Sequence, residues 1–352
     1  MPLYMDIHTV DASSFSVEEV VKAHMEDLKV QERFGVNQIK YWVNVEAQTI
    51  FCLMTGPNKE ACHQVHLEAH GGTPCNIIEV TDDQYDLYLG TGIKDEYDLA
   101  HTDSGEIDSG YRSLIRCSVL DLSSIKGGGV GAFNQGVERY AGRLIQDSKH
   151  HLSAAFVDVN QAFALALEMK TLLDEKKCNF SISLVTGRPV DPHGENLFES
   201  ARETLDALDG LCRKQNIQMD KASMLSLQKS SAFDDLSDLA LSVFDQRELN
   251  FLIALKKSLD QGLNAGRVSV EDLAKDLGSS RSQLYRKTQA LCGLSPNKLI
   301  SQYKLRKSVE LLLAGGLNIS ETAYRVGFNS PAYFTTVFKN HYGQLPTELA
   351  LS

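Results

Sequence analysis

A chain of 352 residues, 43% of them apolar, is long enough for two or three domains, and no run approaching eighteen uncharged apolar residues is present to span a membrane. The net charge of −11 argues against nucleic acid until it is divided: from Arg247 onward 14 Lys and Arg stand against 8 Asp and Glu, a balance of +6, while the preceding residues carry −17. A basic module on an acidic body is the footprint of a DNA-binding domain joined to regulatory domains.

Taken in chain order, residues 1–80 alternate as strand (Leu3–Val10), helix (Ser16–Phe34), a hairpin of two strands (Ile39–Val45 and Thr49–Met54), helix (Asn58–His70) and strand (Asn76–Val80). Two β-α-β halves of this kind predict a ferredoxin-like fold. Its notable feature is histidine. His63, His66 and His70 fall at i, i+3 and i+7 on the second helix and share a face, with His8 on the first strand and His24 on the first helix. Clustered imidazoles bind Ni, Cu or Zn ions, although helical histidines in this spacing are more often solvated or satisfied within a core.

Residues 81–110 hold nine acids and one lysine and read as a surface linker. Residues 111–228 alternate again: strand Ser113–Leu122, helix Val130–Ile145, strand Leu152–Val157, helix Asn160–Leu173, strand Asn179–Val185 and helix Leu197–Leu211, an α/β or α+β pattern. The glycine-rich run from Gly127 to Gly131 lacks the Lys-Ser/Thr of a phosphate-binding P-loop and reads as a loop. Residues 229–246, rich in Ser and Asp, read as a second linker. The seven cysteines, at 52, 62, 75, 117, 178, 212 and 292, form no Cys-x-x-Cys pair, and no leader-like segment opens the chain; both features predict reduced thiols in a cytoplasm.

The segment 247–352 gives the sharpest signal. Ser269 caps a short helix with Glu271 and Asp272 in its first turn, and Leu273, Ala274 and Leu277 on one face. Gly278 ends it, and Ser280-Arg281-Ser282-Gln283 is a capping box that opens a second helix over Arg281–Leu291. Leu284, Thr288 and Leu291 point inward there, leaving Ser282, Tyr285 and Arg286 outside. The same plan recurs: Asn318-Ile319-Ser320-Glu321 caps a short helix, Gly327-Phe328-Asn329 turns, and Ser330-Pro331 starts a helix with Phe334 and Phe338 inward. A helix over Pro296–Leu313 joins the two units. Two helix-turn-helix units on one rigid connector can address groove segments one helical turn apart, roughly 34 Å.

These ordered motifs, among them Leu273-Ala274-Lys275-Asp276-Leu277-Gly278, Gly293-Leu294-Ser295-Pro296 and Ala323-Tyr324-Arg325-Val326-Gly327-Phe328, resemble the AraC/XylS regulators over about 105 residues. The resemblance implies base contacts from Ser282, Tyr285 and Arg286 in the first reading helix and from Pro331, Ala332 and Thr336 in the second, with Lys287, Arg306 and Lys339 on phosphates. Arg286 is the strongest single candidate, because a guanidinium grips guanine with two hydrogen bonds. Residues 1–80, through Ala23-His24-Met25-Glu26-Asp27-Leu28 and Val65-His66-Leu67-Glu68-Ala69-His70-Gly71, resemble a small ferredoxin-like family described as nickel-binding. That resemblance implies His24, His66 and His70 as ligands of a divalent metal, Ni or alternatively Zn or Cu, with Tyr41 and Cys52 nearby and His63 outside the pattern. Residues 111–228 weakly resemble a nucleotide cyclase. Of the two metal-binding aspartates such enzymes use, only Asp121 is in place, and Ser148-Lys149-His150-His151-Leu152-Ser153 stands where the second belongs, so no cyclase activity is expected.

The chain thus reads as a multidomain α+β protein: a ferredoxin-like sensor (1–80), an acidic linker (81–110), a degenerate cyclase-like domain (111–228), a linker (229–246) and an all-α double helix-turn-helix domain (247–352). The expected function is sequence-specific regulation of transcription by a non-enzyme, most simply an activator acting as a homodimer on double-stranded DNA with contact to RNA polymerase. The alternative is an enzyme carrying a DNA-binding tail, which a second carboxylate beside Asp121 would favour.

Overall fold

The computed structural model describes residues 1–10, 15–90, 92–119, 129–148, 151–178, 180–212, 216–230, 239, 241–266 and 268–350. Asp121, His150 and the first glycines of the Gly127–Gly131 run lie outside them.

The N-terminal domain consists of β1 (Leu3–Thr9), α1 (Val17–Val30), β2 (Asn37–Asn44), β3 (Thr49–Thr55), α2 (Lys59–His70) and β4 (Asn76–Val80). Its four strands pair antiparallel in the order β2-β3-β1-β4, the ferredoxin-like arrangement. The helices start where side chains replace missing partners for free N–H groups: Ser16 accepts from the Glu19 amide, and Asn58 from the Ala61 amide at 2.8 Å. Alternation along β1 then decides which side chain faces what. Leu3, Met5 and Ile7 lie on one face, and Tyr4, Asp6 and His8 lie on the other, beneath α1 and α2.

The first face does not meet water. Leu3, Met5, Ile7, Trp42, Phe51 and Leu53 join one continuous core with Leu114, Val185, Leu205 and the helices that follow. The acidic segment 81–110 builds the joint. It forms α3 (Asp82–Tyr88) and the short strands β5 (Ile93–Lys94) and β6 (Ala100–His101), burying Tyr88, Leu89, Leu99 and Ala100. Asp108 accepts two hydrogen bonds from the buried Arg112 guanidinium, both at 2.8 Å, and one from the Trp42 indole at 3.3 Å. The expectation of a surface linker fails here because two short apolar pairs among the acids, Tyr88-Leu89 and Leu99-Ala100, turn inward.

The middle domain runs β7 (Arg112–Val119), α4 (Gly129–Arg139), β8 (Arg143–Ser148), β9 (His151–Phe156), α5 (Val159–Glu175), β10 (Phe180–Gly187), α6 (Glu199–Leu211), β11 (Ile217–Asp220), α7 (Lys221–Ser230) and β12 (Leu241–Phe244). The six strands order as β12-β11-β10-β7-β9-β8. Side chains of α4, α5 and α7 pack on one face around Phe133, Phe163, Phe180 and Leu227. Helix α6 covers the other, held against β10 and β7. Sequence periodicity carried the helix after Val130 to Ile145; it stops at Arg139 because Ala141 takes φ +54° and Gly142 lies so close to the Phe156 ring that a Cβ would sit 2.3 Å from it. Strand β12 likewise lies within residues expected to be a linker.

The C-terminal domain is all helix: α8 (Gln246–Asn264), α9 (Val270–Asp276), α10 (Arg281–Cys292), α11 (Pro296–Ala314), α12 (Ile319–Arg325), α13 (Pro331–Tyr342) and α14 (Pro346–Ala350). Helix α8 packs on α6 and continues the main core through Leu249, Leu252, Leu255 and Leu259. The second unit has its own core of Leu305, Leu312, Ala323, Val326, Phe334 and Phe338.

Candidate metal centre and nucleic-acid interface

The helix-side face of the N-terminal sheet gathers polar side chains where an apolar core would ordinarily be. Asp6 from β1 is fully buried and accepts the Cys52 backbone N–H at 2.9 Å. On α1, His24 and Asp27 sit one turn apart and both face inward; on α2, His66 is buried and His70, one turn on, stands at the exposed rim. His66 is the centre. Its Nδ1 hydrogen-bonds Asp27 Oδ2 at 3.0 Å, and its Nε2 lies 2.9 Å from Asp6 Oδ2 without hydrogen-bond alignment. His70 approaches the other oxygen of Asp27 at 3.4 Å from the rim, and His8 lies 3.2 Å from Asp6. Two overlapping donor groups result, Asp6–His8–Cys52–His66 and Asp27–His66–His70, with ligand atoms within 4.8 Å of one another.

The electrostatics follow from burial opposed by pairing. Burial alone would depress the His66 pKa, but the contacts with Asp27 and Asp6 and their charge lift it to about 10. Burial would raise the carboxyls of Asp6 and Asp27; the neighbouring histidines instead hold both below the usual range. Desolvation keeps His24 below its ordinary value despite its hydrogen bond to Asp98 at 3.2 Å, and pushes the Cys52 thiol well up.

Of the three histidines expected as ligands, the structure brings His66 and His70 together on Asp27, whereas His24 is turned to Asp98. Tyr41 stacks on His24 with ring centroids 4.5 Å apart, and Cys52 joins the Asp6 group. His63 belongs to neither group. Asp6 and Asp27 are the members that sequence reasoning missed, as was Asp98, the partner of His24; the acid interrupting the apolar alternation of Tyr4-Met5-Asp6-Ile7-His8 was the available signal. The residues fit a borderline divalent cation: imidazole and carboxylate donors with one thiol, and buried atoms without hydrogen-bond partners at Asp27 Oδ1, His24 Nδ1, His66 Nε2 and the Tyr41 hydroxyl.

The two candidate reading helices are built oppositely, by pushing polar groups outward. Ser280 closes a capping box with Gln283 at the start of α10, and Gly293 ends the helix with φ +70°. Leu284 and Thr288 are buried, while Ser282, Tyr285, Arg286 and Lys287 are exposed, Tyr285 by 51%. In α13 Ser330 accepts from the Tyr333 amide, and Phe334 and Phe338 are buried. Ala332, Thr336 and Lys339 are exposed and Pro331 partly so. The preceding helices are capped by Ser269 and Asn318, as their sequences require. Lys287 lies over the Phe251 ring at 4.6 Å. Arg306 departs from the expectation of a phosphate contact. It is half-buried at the domain junction, where its guanidinium donates to the carbonyl and carboxylate of Asp209 in α6. A carboxylate as deeply buried as Asp209 needs a cationic partner, and Arg306 supplies it.

Comparison with known proteins divides the chain in the same way. Residues 79 in number align, at 37% identity, with the Msm operon regulatory protein of Streptococcus mutans, covering 22% of this chain and 28% of that regulator. A stretch of 112 residues is 29% identical to histidine kinase P4 of Formosa agariphila, covering 32% of this chain and 8% of the kinase. The chain therefore spans under a third of the length of each. The crystal structure of SCO4226 from Streptomyces coelicolor A3(2) is 32% identical over 22% of this chain and 94% of that one, with a TM-score of 0.21. Family models match at both ends, a helix-turn-helix domain over residues 273–351 and a nickel responsive protein, SCO4226-like, over residues 4–80. This chain thus carries a helix-turn-helix domain of the AraC type at its C-terminus and an SCO4226-like domain at its N-terminus.

Proposed function

We propose that this regulator reads promoter DNA through α10 and α13 and that its DNA binding responds to a divalent metal held in the N-terminal domain. The observation that carries the DNA reading is the paired construction of the two helices: each is capped at its start, anchored by buried side chains (Leu284, Thr288 and Cys292 in one, Phe334 and Phe338 in the other) and carries a row of exposed side chains on its outer side. Ser282, Tyr285 and Arg286 supply the base contacts of the first helix. Pro331, Ala332 and Thr336 line the second, which offers few donors and reads shape or a thymine methyl group. Lys287 and Lys339 meet phosphates. One such module reads few base pairs, so a homodimer and two half-sites give the required specificity, and contact with RNA polymerase makes the protein an activator.

His66, His70 and Asp27 would hold the metal, with Asp6, His8, His24 and Cys52 around them; Ni fits this donor set, as do Zn and Cu. A bound ion supplies positive charge between the two acids, where the charged His66 supplies it otherwise. Footprinting of the full chain, with Ni²⁺ and with chelator, tests both halves. Nickel should shift operator affinity in the wild type, and His66→Ala combined with His70→Ala should abolish that shift while metal-free DNA binding persists. An undiminished nickel response in the double variant would remove metal sensing and leave the DNA reading intact.

A further inference from the structure

We infer that the cavity between the middle and C-terminal domains binds a small phosphate monoester that also carries a hydroxyl or amino donor. The cavity measures about 630 Å³, within the range of sites for small ligands. Its walls come from β7, β9 and α6 on one side and from α8 and α11 on the other. Arg116, Arg202, Lys256, Arg306 and Lys307 line it against the acids Asp206, Asp209 and Glu310, an excess of two positive charges in a chain whose net charge is −11. A phosphate dianion matches that excess; Arg116 and Arg306 are engaged by Asp206 and Asp209, so the exposed Arg202 offers the forked donors that suit phosphate oxygens.

The floor is as unusual as the walls. On β7, Ile115 and Cys117 face the apolar core, so Arg116 points the other way, toward α6. Across the strands Arg116 stands between Ser153 on β9 and Ser183 on β10, and this row of polar side chains is buried where a sheet covered by helices is ordinarily apolar. Two atoms of this region are buried without a hydrogen-bond partner, Ser183 Oγ and Asp209 Oδ1. Asp209 lines the cavity, and burial opposed by Arg306, His151 and Arg116 holds it ionised, so its free oxygen takes a hydroxyl or amino donor from the organic part of the ligand while the phosphate stays at the cavity's cations, a span that inorganic phosphate does not cover. Arg202 lies on the exposed side of α6 at the cavity rim, placed to meet an incoming anion. Because the walls belong to two domains, a bound ester and the interdomain arrangement are thermodynamically linked.

Calorimetric titration of the full chain with ribose 5-phosphate, inorganic phosphate and ribose, at matched ionic strength, tests the site without reference to DNA or metal. Ribose 5-phosphate should bind saturably at one per chain and at least tenfold more tightly than inorganic phosphate, and ribose should not bind. Arg202→Ala, an exposed change whose melting temperature should match the wild type, should weaken the ester at least tenfold; His66→Ala with His70→Ala should leave it unchanged. Absence of heat with the ester, or equal affinity in Arg202→Ala and wild type, would overturn the site, and inorganic phosphate binding as tightly as the ester would overturn the role of the Asp209 oxygen.

Discussion

The two ends of this chain place their functional residues by opposite means. In the N-terminal domain the polar groups are turned inward: Asp6, Asp27 and His66 are each at most 3% exposed and lie against one another. In the C-terminal domain it is turned outward, with Tyr285, Arg286 and Lys339 in solvent above an apolar core that holds without them. A site of the first kind cannot change without disturbing the fold, whereas a site of the second kind can change its specificity freely. The largest expected effect follows from the first. In chelator-treated protein Asp6→Ala should cost about 3–5 kcal/mol in denaturant unfolding, because it strips one carboxylate from a buried His66 and an acceptor from the Cys52 amide. A cost near zero would show that the polar cluster is no part of what holds the domain, and the contrast between the two ends would collapse.

Acid offers a second way to press the comparison. Arg112 and the hydrogen bonds from Gly110 and Trp42 hold the Asp108 carboxyl below its ordinary value of 3.8 against the opposing effect of burial. A depressed carboxyl stabilises the fold above its unfolded pKa, and that stabilisation is lost as pH falls through the folded value. The joint between the first two domains should therefore loosen below about pH 4. Trp42, the chain's single tryptophan, donates to Asp108 and reports on it. Its emission should shift to the red on acidification, and Asp108→Asn should remove the pH dependence of that shift. An identical acid profile in the variant would place the transition elsewhere.

The same contrast explains what could be read in the sequence. Each helix-turn-helix unit is written in under thirty consecutive residues, with caps at Ser269, Ser280, Asn318 and Ser330 and turns at Gly278 and Gly327, so local rules located its helices closely. The polar cluster is assembled from β1, α1, β3, α2 and the segment around Asp98. Helical spacing revealed His66 and His70 as a pair, but nothing local connects them with Asp6, sixty residues away. The acidic segment was misread for the same reason: composition described its solvated side, and the partners of Tyr88, Leu99 and Asp108 lie in other elements. Arg306 looked like a phosphate contact because its position in the motif was visible and the aspartate that engages it, on α6, was not.

Arg286 tests the outward site alone. Arg286→Ala should weaken operator binding by about 1–3 kcal/mol and relax preference at one base pair, with no change in melting temperature. Unchanged affinity and preference in a binding-site selection would remove Arg286 from the residues that read bases.

The smallest effect separates position from specificity within the outward site. Lys339 lies in the last turn of α13, exposed, while Phe334 and Phe338 beside it hold the helix to its core. A lysine on phosphate attracts any sequence equally and displaces a counterion when it binds. Lys339→Ala should therefore lower affinity for operator and for random DNA by the same factor, and should reduce the slope of log affinity against log salt by about one. Because α13 offers few base donors of its own, loss of a backbone contact there should leave sequence preference where α10 sets it. If Lys339→Ala instead altered preference among operators at constant salt slope, the second helix would be reading bases through this lysine, and the division of labour between α10 and α13 would have to be reversed.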